Sequence, residues 1–214
     1  MKSRKENFMK VLLLNGSPNA NGCTYTALSV IAARLKEHGI DSEIMHIGAQ
    51  PIPGCIACGK CVESRKCVFD DKVNEFVNKM QDMDGLIVGS PVYYAAASGQ
   101  VTAFLDRAFY SAGKTFDGKP GAAIVSCRRG GASAAFDQLH KYYSISNMPI
   151  VTSNYWNQVH GNTPEEVMKD EEGIQTMEIL ADNMAWLLSC IKAAKEKGIN
   201  LPERPTKKRT NFIR

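Results

Sequence analysis

The sequence contains no apolar run near the roughly 20 residues needed to span a bilayer. Its basic start, MKSRKENFMKVLLLNGSP, has only VLLL where a signal peptide needs a longer core. A cytoplasmic, membrane-independent protein is expected. Charge of one sign is also scarce: 26 basic residues face 22 acidic ones, a formal net charge of +4. A field that weak selects neither nucleic acid nor an acidic surface as partner. The stretch NGSPNANGCTYTAL, residues 15–28, has no G-x-G-x-x-G and no G-K-[ST], which removes the dinucleotide fingerprint and the Walker A loop there. No side chain is arranged as a nucleophile, so no catalytic residue is assigned. Repeats, long linkers and low-complexity segments are absent too. What is present is 214 residues with 44% hydrophobic content, enough to bury the core of a single domain, 1–214.

Apolar runs at Val11–Leu14, Leu86–Val88 and Ala122–Val125 suit central parallel strands, which are buried on both faces. The more polar Ser42–Ile47 and Ile150–Tyr155 suit edge strands. Helical spacing links them: Leu28, Ile31, Ala32 and Leu35; Val73, Phe76, Val77 and Met80; Val101, Phe104, Leu105, Ala108 and Phe109; Phe136, Leu139 and Tyr143. A last helix with Ile174, Met177, Ala181, Met184, Leu188 and Ile191 precedes a polar, extended tail from Pro202, the two together covering about 172–214. Five β-α units predict an α/β, doubly wound, five-stranded parallel sheet. The flavodoxin-like order 2-1-3-4-5 puts the two polar strands at the edges. Right-handed crossovers then bring the strand-to-helix loops to the carboxyl edge of the sheet, where a ligand would bind.

Loop one, NGSPNANGCTYTAL, surrounds a helix N-terminus with Ser17, Asn19, Gly22, Cys23 and Thr24. Free amide N–H groups and the helix dipole favour a phosphate there, although an ordinary turn and cap would use the same residues. Loop three, SPVYYAAASGQVTAFLDRAFY, offers Pro91, Val92 and the flat faces of Tyr93 and Tyr94, with small residues beyond them. A planar ring would fit, as would plain packing of two tyrosines. Loop four, SCRRGGASAAF, adds Ser126, Arg128, Arg129, Gly130 and Gly131, either donors beside a ring or a solvated turn.

The stretches GSPNANGCT, GSPVYYAAASGQVTAFLDR and RRGG together resemble the NADPH-dependent FMN reductase and iron-sulfur flavoprotein family of the flavodoxin-like superfamily, from about Lys10 to about Gly161. The resemblance implies that Ser17, Asn19, Gly22, Cys23 and Thr24 hold the FMN phosphate. It places Pro91 to Tyr94 beside the isoalloxazine, and Ser126, Arg128, Gly130 and Gly131 on its pyrimidine side. The family pattern has Asn where this chain has Cys23; a thiol is a poor donor, so contact there would run through the backbone. NAD(P)H or reduced ferredoxin is the implied electron source, and a quinone or nitro compound the small acceptor. The expected assembly is a homodimer or homotetramer.

Four of the seven cysteines lie in GCIACGKCVESRKC, at C-x2-C-x2-C-x5-C spacing within the loop 51–68. A reducing compartment argues against disulfides, and zinc sites more often pair two separated knuckles. By the resemblance, Cys55, Cys58, Cys61 and Cys67 hold a [4Fe-4S] cluster: three thiolates three residues apart wrap one corner and the fourth closes it. Val68 stands where the ferredoxin run has proline, so zinc and free thiols stay open. Strands two and three are separated only by strand one, roughly 10 Å in all, which makes cluster and flavin neighbours. Cys127 and Cys190 read as buried small hydrophobes. His38 and His46 read as surface residues, and His160 as the one histidine that would approach a flavin if it is not simply structural. Tyr155 and Trp156 read as core or as a cover for a partner's flavin. Two rivals remain: a flavodoxin-like carrier without turnover, and a thiol- or metal-based redox sensor.

Overall fold

The computed structural model describes residues 9–206, 208 and 210. The basic residues 1–8 and part of the tail lie outside them. β1 (Lys10–Asn15) is apolar and buried along nearly its whole length because helices cover both its faces. α1 (Cys23–Glu37) leads to β2 (Asp41–His46), whose alternating exposure is that of an edge strand. α2 (Cys61–Ser64), α3 (Lys72–Lys79) and a 3-10 turn (Met80–Asp82) follow, then β3 (Gly85–Tyr93). A two-residue arm, β4 (Ala96–Ala97), folds back on β3 before α4 (Gly99–Ser111), β5 (Gly121–Cys127) and α5 (Ala132–Ile145). β6 (Gln158–His160), α6 (Pro164–Val167) and α7 (Glu171–Glu196) complete the order.

The parallel sheet runs β2-β1-β3-β5-β6. Omitting the antiparallel arm, this is the 2-1-3-4-5 order expected. β1 shows the double winding directly: Val11 and Leu13 join the core under α1 and α7, while Leu12 and Leu14 join the core under α3, α4 and α5. Among the described residues no helix is long and apolar enough to cross a membrane.

The fifth strand departs from the expectation of Ile150–Tyr155. Only Ile150 bridges Gly121, and the ladder resumes at Gln158–His160 against Val125–Cys127. Between them the chain loops out because short polar side chains satisfy the backbone instead. Ser153 Oγ donates to the Tyr155 carbonyl, and Asn157 Nδ2 donates to the Ala123 carbonyl at 3.0 Å. Cys190 is also corrected: it is exposed on α7. Pro202–Thr206 has no regular structure, in keeping with an extended tail.

Candidate functional site

Loop one is held from beneath. The side chain of Asn15, buried at the end of β1, donates to the Ala20 carbonyl at 3.1 Å and accepts from the Ser17 N–H at 3.1 Å. Gly16 N–H reaches the Gly89 carbonyl at 2.8 Å, and Ser98 Oγ donates to the Gly16 carbonyl at 3.0 Å, which ties the loop to β3 and to the start of α4. His46 is half-buried rather than a surface residue, and its Nε2 donates to the Ser17 carbonyl at 2.8 Å. Ser17 Oγ accepts from the Asn19 N–H at 3.1 Å, so its own proton is free to donate. α1 then starts at Cys23 with no side-chain cap on Gly22 and no acidic residue in its first turn. Its first-turn amides are open to an anion.

Two side chains from the expected phosphate set are engaged elsewhere. The Cys23 thiol points to the Gly161 carbonyl at 3.7 Å. Burial chiefly, with Glu166 and Glu165 nearby, pushes its pKa up, so it stays a protonated donor. Thr24 Oγ1 lies 2.8 Å from Ser126 Oγ, both buried. These two hydroxyls fasten loop one to β5.

Loops three and four meet over the same edge. Tyr94 and Ala95 form the two-residue hairpin turn between β3 and β4, with φ of 49° and 58°, values that glycine or asparagine ordinarily supplies. The turn holds Tyr94 fully exposed beside the half-exposed Tyr93. Gln138 on α5 accepts from the Ala97 N–H at 3.1 Å and steadies the arm. Gly131 precedes α5 at φ 90°, and a Cβ there would come within 2.7 Å of Ala95 Cα. Only glycine allows that approach. Arg128, Arg129 and Gly130 are exposed beside it, and α5 also starts without a side-chain cap. His160 is fixed within β6: its N–H donates to Asp170 Oδ2 at 2.6 Å and its Nδ1 lies 3.4 Å from Cys127 Sγ. Cys127 is buried as expected, and burial raises its pKa. Tyr155 and Trp156 are about half exposed, on the outward excursion of the edge strand.

Loop two rises from the same edge and is tied to α4 by Gln100 Nε2, which donates to the carbonyls of Gly48 and Gln50 at 3.0 and 2.7 Å. Cys55, Cys58, Cys61 and Cys67 line one small cavity together with Phe69, Arg107 and Tyr110. Burial raises the Cys61 pKa, and the other three thiols add to the effect. Among the described residues no three His, Cys, Asp or Glu side chains gather around a point where one metal ion could sit. The four thiols instead spread around the wall of the cavity. Arg107, which the sequence reading missed, lies under this cavity and is 2% exposed. The missed Asn74 holds the backbone of Cys67. A larger cavity, ≈ 560 Å³, lies at the opposite edge between α7 and the Lys119–Pro120 turn and includes none of these loop residues.

Residues 9–163 match the family model for NADPH-dependent FMN reductase. An iron-sulfur flavoprotein of Methanocaldococcus jannaschii is 31% identical over 192 residues, covering 86% of this chain and 100% of the relative. An iron-sulfur flavoprotein of Methanosarcina thermophila is 29% identical over 194 residues, covering 88% and 100%. Among solved structures, a flavodoxin from the domain Archaea superposes with a TM-score of 0.58 at 15% identity, over 85% of this chain and 99% of the flavodoxin, and shares the fold. With the loops converging as described and the family model matching more than half of its length, the chain belongs to the NADPH-dependent FMN reductase family of NAD(P)H-dependent flavin oxidoreductases.

Proposed function

We propose that this oxidoreductase takes electrons from NAD(P)H or reduced ferredoxin and passes them, through FMN, to a [4Fe-4S] centre or to a small acceptor such as a quinone or nitro compound. The observation that carries the reading is the meeting, on one sheet edge, of an uncapped helix N-terminus, two loops suited to a flat ring, and a cavity lined by four thiols. Flavin supplies two-electron chemistry and the cluster one-electron chemistry, so the pair suits a converter between the two. The names of the relatives in Methanocaldococcus jannaschii and Methanosarcina thermophila, which join iron-sulfur with flavin, support it.

In this reading Ser17, Asn19 and the N–H groups of Gly22, Cys23 and Thr24 hold the phosphate. Pro91, Val92, Tyr93 and Tyr94 border the ring, while Arg128, Gly130 and Gly131 approach its pyrimidine side. Ser126 contributes by fixing Thr24 through its hydroxyl rather than by touching the ring itself. Arg128 places positive charge where a reduced ring would carry negative charge. Tyr155 and Trp156 suit an interface in a homodimer or homotetramer, and the proposed location is cytoplasmic.

The test is anaerobic purification followed by absorption spectroscopy, iron and sulfide assays, chromatography of the heat-released cofactor, and NAD(P)H consumption with an artificial acceptor. FMN, iron with sulfide, and steady turnover are expected. FAD would sink the single-phosphate reading, and equimolar zinc would replace the cluster with a structural site. Bound FMN without turnover would favour a carrier, whereas no flavin affinity would favour a thiol sensor.

A further inference from the structure

We infer that Arg107 is a positioning residue for Cys67 and makes that sulfur the fixed corner of the four-thiol site, an inference that rests on the iron-sulfur reading above. Arg107 sits in the middle of the core-packed helix α4 and is 2% exposed. A guanidinium removed from water is costly unless every donor is paired. All five of its N–H groups find acceptors, and every acceptor belongs to residues 53–71. Nε donates to Cys67 Sγ at 3.2 Å. Nη1 donates to Asp71 Oδ2 at 2.7 Å and the Pro53 carbonyl at 3.3 Å, and Nη2 to Asp71 Oδ1 at 2.8 Å and the Phe69 carbonyl at 3.4 Å. The guanidinium carbon also lies 4.8 Å from the centre of the Phe69 ring.

The backbone of Cys67 is fixed independently. Asn74 Oδ1 accepts its N–H at 2.9 Å, and Asn74 Nδ2 donates to its carbonyl at 3.1 Å. Main chain and sulfur of Cys67 are therefore both tied to elements of the folded core. Cys55 and Cys58, by contrast, are exposed on a strip without regular structure that turns through left-handed Ala57 and Gly59. The four ligands are thus inequivalent: one is preset and two depend on the strip around them. A clamp needed only to order the loop would choose oxygen acceptors, as four of the five contacts do. The fifth is a sulfur, and hydrogen bonds to ligand sulfurs are among the factors that set a cluster's potential.

The experiment compares wild type with Arg107→Met, which removes all the donors, and Arg107→Lys, which keeps the charge near Asp71 but has no Nε–H donor. In the metal-free full chain, trypsin should cut after Lys60, Arg65 and Lys66 at least tenfold faster in Arg107→Met, with cleavage elsewhere unchanged. Equal rates would overturn the positioning role, and Arg107→Lys gives the same comparison if the methionine variant does not fold. In protein reconstituted with iron and sulfide, Arg107→Lys should lower the one-electron midpoint by a tenfold shift in equilibrium, about 59 mV. A midpoint equal to wild type would overturn the role of the N–H to sulfur contact. Wild-type protein that takes up no iron would sink the cluster reading alone, and the tryptic comparison would still decide whether Arg107 fixes the loop.

Discussion

Replacing Gly16 with alanine tests whether loop one is held where a phosphate could use it. A Cβ at Gly16 would lie 2.5 Å from Val101 Cγ2 and 2.7 Å from the Gly89 carbonyl oxygen. Val101 cannot yield easily, being fully buried, β-branched and stiff. The Gly89 oxygen belongs to a central strand and is the acceptor of the Gly16 N–H. The loop must therefore lift off β3. Overpacking costs about 1–3 kcal/mol, and loosening the Gly16 N–H and Ser98 contacts adds about 1 kcal/mol each. At about 2–4 °C per kcal/mol for a chain of this size, the melting temperature should fall by roughly 6–20 °C. FMN affinity should drop more than tenfold, because Ser17 and the first-turn amides move together. Thermal melts of the flavin-free protein and a fluorescence titration with FMN read the two effects. Gly99→Ala is the control, since nothing lies within 4 Å of its Cβ. Unchanged melting and affinity in Gly16→Ala would show that loop one is not held by this contact and would refute the reasoning.

Ser17→Ala removes a donor to a charged phosphate, worth about 1.5–3 kcal/mol, and should weaken FMN binding at least tenfold. Thr24→Val should lower the melting temperature through the lost Ser126 contact yet keep FMN affinity within about threefold; a loss as large as that of Ser17→Ala would mean that the Thr24 hydroxyl serves the phosphate after all. Alanine at Cys55, Cys58, Cys61 or Cys67 should abolish bound iron and leave FMN in place, while alanine at Cys127 or Cys190 should leave iron untouched, as iron assays and visible spectra will show. Burial, outweighing nearby Asp137, lowers the pKa of His140, whose Nε2 is buried without a hydrogen-bond partner among the described residues. The unfolded chain takes up that proton near pH 6.5, so the stability contributed by the neutral ring is present above that pH and lost as pH falls below it. Melting curves of wild type and His140→Leu from pH 8 to 5 should diverge in favour of the variant; parallel curves would remove His140 as the cause.

The central sheet was legible because β1, β3 and β5 are buried on both faces and therefore read as apolar runs. The edge strand was not, and the reason is local. In and just after Ile150–Tyr155 the side chains of Ser153 and Asn157 compete with the ladder, and the true pairing segment, Gln158–His160, is too short for a period of two to show. The β3–β4 turn hid for a similar reason, since a two-residue hairpin turn announces itself by Asn-Gly and here it is Tyr94-Ala95. Cys190 was assigned by residue type when spacing would have corrected it: Met177, Leu180, Ala181, Met184 and Leu188 make the buried stripe of α7, and Cys190 falls outside it.

The site divides along the same line. Glycines, cysteines and tyrosines at loop positions advertise themselves, because few other residues can turn, ligate or stack there. The residues that hold them do not. Asn15, Asn74 and Arg107 are ordinary residue types, and each works through partners that only the fold supplies, with Asp71 standing 36 residues before Arg107. Arg107 left no trace of its burial: at 100° per residue it lies roughly 60° outside the apolar stripe of Val101, Phe104, Leu105 and Ala108, on a flank of α4 where a charge would ordinarily be solvated. It is buried because residues 53–71 cover that flank and accept its hydrogen bonds. The partner was not readable, because pairing α4 with the cysteine loop requires knowing that β1 lies between β2 and β3, so that the connection leaving β2 must cross the carboxyl edge and come down over α3 and α4.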